Sequence, residues 1–461
     1  MAFLHLLVTS LSNDLALASP SPRDTIDHIP DIRSLSSIIY SCIFTVAGCL
    51  WISVRPNIPS PNHSRLRILR SKLNIMFWVL ASPDFVVFWA FRQWLEASIL
   101  AKKYRDRGWT RTHGQFVIIG GFMLYSEGRP LQTLSVQKFN ALLSEGAIEF
   151  PSITESEIRA RGQQSPILTT IVGLQALWFV IQCSARFSSH LYVTHLELLT
   201  LALVVITALL YVVWWDRPLD VGHAVRVDLK YDYPGLAELG EERTERYDFI
   251  REKRIRGQAR KLLAPEPPAV KRSRSYLSMA FSLLFRVFIG WPFLSIIEDV
   301  GALVFSVDSA SIPEGSLHPP LFYCPETSVI PYHVLLPITS LLGCAFNGVN
   351  IILFSSTFPS SGAELAWKIG TLVTTGFSGL SVAIYIALLF NQIILVRFSA
   401  RFLEIWSNVL LTLTLIVLCC GFLAFLPARI TLIVDAFVCL GSLPETAFDV
   451  VSWTTYIPHF S

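Results

Sequence analysis

The chain has 461 residues, of which 52% are apolar and only 15% charged, against about 45–50% and about 25% in soluble domains. With a mean hydropathy of +0.51, this excludes an ordinary soluble domain and predicts an all-α polytopic membrane protein with about seven to eight transmembrane helices. The net charge is +3, too small for a broad nucleic-acid surface, so no nucleic-acid partner is expected.

Residues 1–18 form a candidate signal peptide, with Ala16-Leu17-Ala18 as an A-x-A cleavage pattern. Against it, no basic residue precedes the apolar stretch, and Asn13-Asp14 interrupts it. The first span is predicted over 35–54.

Next comes LASPDFVVFWAFRQW, residues 80–94, which sets Pro83 and Asp84 inside the apolar run 73–91. Both flanks are basic: Arg65, Arg67, Arg70 and Lys72 upstream, Lys102, Lys103, Arg105 and Arg107 downstream. Lys and Arg favour the cytoplasmic side, so a simple span puts one flank on the wrong side. A break at Ser82-Pro83-Asp84 that turns the helix back satisfies both, because proline removes a backbone donor and clashes with the preceding turn. The segment is predicted to be re-entrant or kinked, or to lie at the interface; the competing reading is an ordinary kinked span. Between the first span and this segment, Asn62-His63-Ser64 is a glycosylation sequon. It is predicted to be cytoplasmic and unused.

Residues 109–165 are predicted to be a small cytoplasmic α/β insert. Phe116–Tyr125 is too short to span and reads as a strand, with Glu127-Gly128-Arg129-Pro130 as its turn. VQKFNALLSEG reads as a helix ended by Gly146. Thr154 and Glu157 form a capping box.

A transmembrane pair follows over 166–215, with spans at 166–184 and 193–215, and then a charged cytoplasmic loop at 216–275. Its basic stretch 251–274 is expected to lie against anionic lipid; a solvated charged helix is the alternative. A bundle over 276–426 holds spans at 276–297, 333–357, 370–396 and 405–426, and 427–461 is an amphipathic C-terminal segment. The loop 298–332 has no Lys or Arg and several acids, which assigns it to the opposite side. The result is an outside N-terminus and an inside C-terminus, with Arg397 and Arg401 as misfits on the outer side.

Ionisable groups within apolar segments are costly, and mark function or pairing. Asp84, Glu197 and Asp435 are the candidate catalytic acids. Arg286, Asn347, Asn350 and Asn391 are candidates for ligand contact or ion pairing, and His195 opens a span beside Glu197. Arg286 needs an anion, with Asp84 or Asp435 favoured; the structural alternative is a buried pair that fixes helix register. The sequence has no HExxH, GxSxG, P-loop or dinucleotide fingerprint. No cofactor and no metal are expected. Acids among Trp78, Trp89, Trp94, Trp178, Trp214 and Trp215 suit proton-driven chemistry on a lipophilic molecule, although interfacial belts give the same pattern. The eight cysteines form neither a disulfide framework nor a zinc motif. They read as small buried hydrophobes, with Cys324 alone in a polar loop.

The stretches SKLNIMFWVLASPDFVVFWAFRQW, GWTRTHGQFVIIGGF, LQALWFVIQCSARF, WWDRPLDV, FPSSGAELAWKIG and the ending ARITLIVDAFVCLGSLPETAFDVVSWTTYIPHF together resemble a large fungal family of uncharacterised multi-pass membrane proteins. The resemblance covers most of the chain after residue 35. It implies a fungal source, several spans and an endomembrane or plasma-membrane location, and it carries no activity. The expected function is an accessory or catalytic role on a lipophilic small molecule, in fungal and even specialised metabolism. The alternatives are a transporter or channel with a polar path through Asp84 and Arg286, and a scaffold recruiting partners through the insert.

Overall fold

The structure is a computed structural model that describes residues 33–126, 128–163, 165–230, 312–325, 332–397 and 401–451. The candidate signal peptide, the span predicted at 276–297 with Arg286, and the basic stretch 251–274 lie outside the described residues. Of Asn391, only the helical backbone is described.

The chain runs as α1 (Leu35–Ser53), α2 (Arg65–Ala81), α3 (Pro83–Lys103), α4 (Arg111–Ile118), β1 (Phe122–Ser126), β2 (Arg129–Thr133), α5 (Val136–Ser144), α6 (Glu155–Ala160), α7 (Pro166–Ser188), α8 (His195–Val213), β3 (Val225–Asp228), α9 (Tyr332–Gly348), α10 (Ser361–Arg397) and α11 (Arg401–Val438). Among the described residues, five helical stretches are long and apolar enough to cross a membrane: Leu35–Ser53, Pro166–Ser188, His195–Val213, Pro337–Ser355 and Cys420–Ser442. The bent pair α2 and α3 adds a sixth if it counts as one span. The prediction was about seven to eight spans. Leu174, Leu177, Val205, Val212, Leu423 and Val434 stay exposed on these helices. Apolar cover on that scale needs an apolar surrounding.

The insert caps one end of the bundle. Its core stacks Trp109 on Phe122 and Phe139, with ring planes 10° and 23° apart. A three-stranded sheet in the order β2-β1-β3 lies against that core. The predicted strand over Phe116–Tyr125 is corrected here: Phe116–Ile118 close α4, and the chain turns at Gly120-Gly121 before β1 begins. Gly120 takes a positive φ of 88°, and a Cβ there would sit 2.7 Å from Pro319, so only glycine suits the turn. Arg129 and Pro130, predicted as turn residues, belong to β2, an edge strand, where proline is tolerated. Both predicted helix signals hold. Gly146 has φ 70° after α5, and Thr154 and Glu157 make the capping box of α6.

Two distant segments join this insert. The charged loop predicted over 216–275 begins with β3, whose Val225 and Val227 pair in parallel with β1. The loop predicted on the opposite side, 298–332, has its described part on the insert: the Thr133 amide donates to the Ser316 carbonyl at 2.8 Å, and Lys138 pairs with Glu314 at 3.2 Å. Cys324, read as lying in a polar loop, is buried, and Phe322 near it packs against Trp78, Phe85 and Trp89 of α2 and α3.

At the far end, Arg33 donates from its backbone amide to the Phe448 carbonyl at 2.8 Å and from Nη2 to the Ala447 carbonyl at 2.9 Å. The two ends of the described chain therefore meet at one end of the molecule, where the loop charges had predicted opposite sides. The C-terminal division is corrected too: 405–426 and the amphipathic stretch after it form one helix, α11, with Pro427 inside. An apolar helix packed on neighbours tolerates an internal proline.

A buried arginine ties the insert to the bundle. In WWDRPLD, Arg217 is 1% exposed. It donates from Nη1 to Gln93 of α3 and from Nη2 to Asn57 at 3.0 Å, between the faces of Trp89 and Trp214. Gln93 and Trp89 donate in turn to the Tyr323 carbonyl at 2.8 and 3.0 Å. On either side, Asp216 pairs with Arg111 and Asp220 with Lys72 of α2. Burial, then the neighbouring Arg55, pulls Arg217 well below the usual arginine range. Acceptors and ring faces, not a carboxylate, answer its charge.

Two outcomes follow from this geometry. Single cysteines introduced as Asn62→Cys and Glu314→Cys react with an impermeant reagent from one side of the membrane, and Glu445→Cys reacts from the other; the loop-charge topology instead puts 62 and 314 on opposite sides. Arg217→Ala lowers resistance to detergent unfolding by on the order of 3 kcal/mol, because Gln93 and Asn57 lose a charged donor. Arg217→Lys recovers little of it, since an ammonium lacks the planar fork.

Candidate functional site

Ser82 does not continue α2: the residue before a proline is disfavoured in helical conformation, and here no helix continues across it. It sits at φ −147°, ψ 76°, and Pro83 opens α3. The two helices meet there at a bend of 118°. Helix ends expose unpaired carbonyls on one side and unpaired amides on the other, with opposite partial charges. Both are answered at this break. Asp84 Oδ1 accepts from the Phe85 amide at 3.0 Å and from Ser82 Oγ at 2.8 Å, which places a carboxylate at the positive end of α3. Arg429 of α11 donates from Nε to the Leu80 carbonyl at 3.1 Å, which places a cation at the negative end of α2. Arg429 is 1% exposed and lies over the Phe346 ring at 4.7 Å. It is the cation that acts on Asp84, although no ion pair within 4 Å joins them.

α9 and α10 close the site. Gly343 lets α9 approach the break: a Cβ there would meet Asp84 Oδ2 and Ser378 Oγ, both at 2.9 Å. One turn on, Asn347 Nδ2 donates to the Gly343 carbonyl at 3.0 Å and reaches Ser378 Oγ at 3.5 Å. Four buried groups in this region lack partners: Asn347 Oδ1, Arg429 Nη1, Thr371 Oγ1 and the Asn350 side-chain amide. Asn350 follows Asn347 by three residues, on the same face of the chain as it leaves α9. The Asn350 carbonyl accepts from Trp367 Nε1 at 3.1 Å.

Two predicted residues thus come together, Asp84 and Asn347, while Asn350 lies further along, where its carbonyl meets Trp367. Glu197 does not join them. It accepts at Oε2 from the Thr194 amide at 2.9 Å, as the third residue of a capping box, and its Oε1 pairs with Arg33. It is a structural residue at the far end, as is Arg186, which donates to the Asp449 and Thr446 carbonyls at 2.7 and 3.1 Å. Asp435 is buried with Oδ2 unpartnered. It stands six residues beyond Arg429 on α11, toward the far end, and pairs with no arginine among the described residues. His195 meets Ser356 Oγ at 3.0 Å, also at the far end. Arg429 was missed by sequence reasoning, although it is the lone basic residue of AFLPARITLIVDAF, a signal as plain as Arg286. Among the described residues, no three His, Cys, Asp or Glu side chains gather as metal ligands.

A family model matches residues 3–236 and 327–460. The chain belongs to DUF8562, a family of unknown function. No curated protein and no solved structure matches it. In this DUF8562 chain the matched residues include Asp84, Asn347, Asn350 and Arg429, whereas Arg286 falls in the unmatched stretch.

Gly343→Ala is expected to destabilise the protein by about 1–3 kcal/mol, since backbone and carboxylate would have to move apart. Gly376→Ala on α10, where a Cβ meets open space, is neutral or stabilises by up to about 1 kcal/mol. Unfolding in mixed micelles reads both.

Proposed function

We propose that the break between α2 and α3 is a binding site, within an integral membrane bundle, for the polar end of a lipophilic molecule, and that the protein binds or modifies that molecule. The observation carrying this is the set of unpartnered buried groups beside Asp84. Buried polar atoms ordinarily have partners, and here an acceptor, Asn347 Oδ1, and a charged donor, Arg429 Nη1, are left over at a helix break. A hydroxyl or carbonyl on an apolar skeleton matches such a set. Asp84 would then hold or exchange the proton of that group.

In this reading α2 and α3 enter and leave on the insert side, as a re-entrant pair. Irregular backbone at membrane depth is tolerated where protein covers it, and α9, α10 and α11 cover this break. The insert end is cytoplasmic. It carries Arg65, Arg67, Arg70, Lys102, Lys103, Arg105 and Arg107, in keeping with the positive-inside bias. In this reading Arg397, the last residue of α10, and Arg401, the first of α11, belong to the same end, which removes the misfit in the loop charges. Asn62, exposed in its turn, stays without glycan.

One observation favours transport as a second reading. Unpartnered polar groups continue from Asn347 to Asn350 and Thr371, and His195 Nδ1 lacks a partner at the far end. Polar groups beside a discontinuous helix are how transporters build a path.

The test compares lipophilic compounds that copurify with the wild-type protein and with Asp84→Asn at equal abundance in the membrane. Binding at the break predicts at least one compound reduced about tenfold, the effect of one lost charged contact. An unchanged set of compounds overturns it. The transport reading instead predicts that Asn350→Leu abolishes solute flux into proteoliposomes while the copurifying compounds stay the same.

A further inference from the structure

The residues after α1 and the segment 312–325 form the walls of an open groove whose floor is the first half of α2, with a volume near 400 Å³. Ligand pockets run from about 300 to 1,000 Å³. His63, Arg67, Arg70, Ser71, Asn74 and His318 line it, and among the described residues no acidic side chain does. The spacing of the α2 residues is the point: positions 67, 70, 71 and 74 fall on one helix face. Leu66, Leu69 and Leu73 form an exposed apolar stripe beside them. A basic face next to an exposed apolar stripe is the pattern of a helix at a membrane surface.

Distant parts of the chain hold the walls. Asn57 Nδ2 donates to the Pro320 and Leu321 carbonyls at 2.6 and 3.0 Å, and Ser316 Oγ donates to the His318 carbonyl at 2.7 Å. The His63 and His318 rings then face each other across 4.7 Å. His318 Nδ1 donates to the Pro319 carbonyl at 3.0 Å, which fixes its ring. Burial, then His318 and Arg67, hold His63 below the usual histidine range. Arg67 and Arg70 thus share the groove with two imidazoles, and among the described residues its lining holds no carboxylate.

We propose that this groove is a phosphate-binding site, with Arg67 and Arg70 as the charged donors and His63, His318, Ser71 and Asn74 as the neighbouring polar contacts. Arginine suits the task because its planar fork meets phosphate oxygens two at a time. The phosphate comes from the head group of an anionic phospholipid or from a soluble phosphate compound. The proposal stands apart from the site at the helix break, since neither Asp84 nor Arg429 takes part.

The experiment uses the full chain in phosphatidylcholine nanodiscs, with retained short-chain phosphatidic acid read by native mass spectrometry. Arg67→Gln/Arg70→Gln and, separately, His63→Gln/His318→Gln are compared with Arg105→Gln/Arg107→Gln, a pair of exposed arginines elsewhere on the same end. The arginine pair in the groove is expected to lower retention about tenfold, and the control pair to leave it unchanged. Competition by inorganic phosphate assigns the site to soluble phosphate compounds, and retention that phosphate does not displace assigns it to a lipid head group. Equal retention in the wild type and both groove variants, or an equal loss in the control pair, overturns the proposal.

Discussion

The helix stops at Ser82-Pro83, and it does so inside a buried apolar core. Every neighbour of the break is arranged around the resulting problem. Carbonyls at the end of one helix and amides at the start of the next are left without helical partners. Water is scarce there, so the protein supplies the replacements: Asp84 on one side, Arg429 on the other. Both are costly inside an apolar bundle, and each is there because the backbone charge it faces is fixed. Phe322 fills the open angle between the legs, and Phe422 packs on Trp78 from α11. The break is a polar core inside an apolar one.

The two legs of that bend must be held at a fixed angle, and the insert does this. Arg217 sits where the α3 leg, the Asn57 loop and the Tyr323 segment converge. Lys72 on the α2 leg reaches Asp220, three residues further along. The insert is therefore more than an appendage: its sheet, its salt bridges and its buried arginine hold both legs from one end. A ligand at the break would be framed by helices whose spacing is set there.

Much of this architecture is legible in the sequence, but unevenly. Pro83-Asp84 announces the break, because a proline within an apolar run has few structural solutions. The cap of α6 is equally readable, since Thr154 and Glu157 act through local bonds. What stays hidden is whatever depends on distant pairing. Val225 and Val227 look like part of a charged loop until β1 is beside them. The segment around Ser316 carries no Lys or Arg, so charge counting assigns it to the side opposite the insert; its contacts with Thr133 and Lys138 put it on the insert. Glu197 looks like a catalytic acid in a span, yet its oxygens are occupied by a cap and by Arg33. Arg429 escaped notice because its run was read as a separate amphipathic tail rather than as a continuous helix through Pro427. Charge in a one-dimensional pattern shows that a partner is required, not which one.

The clamp at the far end bears on how such a chain is made. Arg33, at the start of the first helix, binds the carbonyl of Ala447, a residue 414 positions later. Arg186 holds the same short stretch. The helix that follows Arg33 is thus secured by residues translated long after it. Until those arrive, Glu197 is the described side chain that holds Arg33, and the tie to the C-terminal stretch is missing. Closure is then a single late event, and a ribosome that stalls anywhere in α11 leaves an unlatched protein for quality control to find.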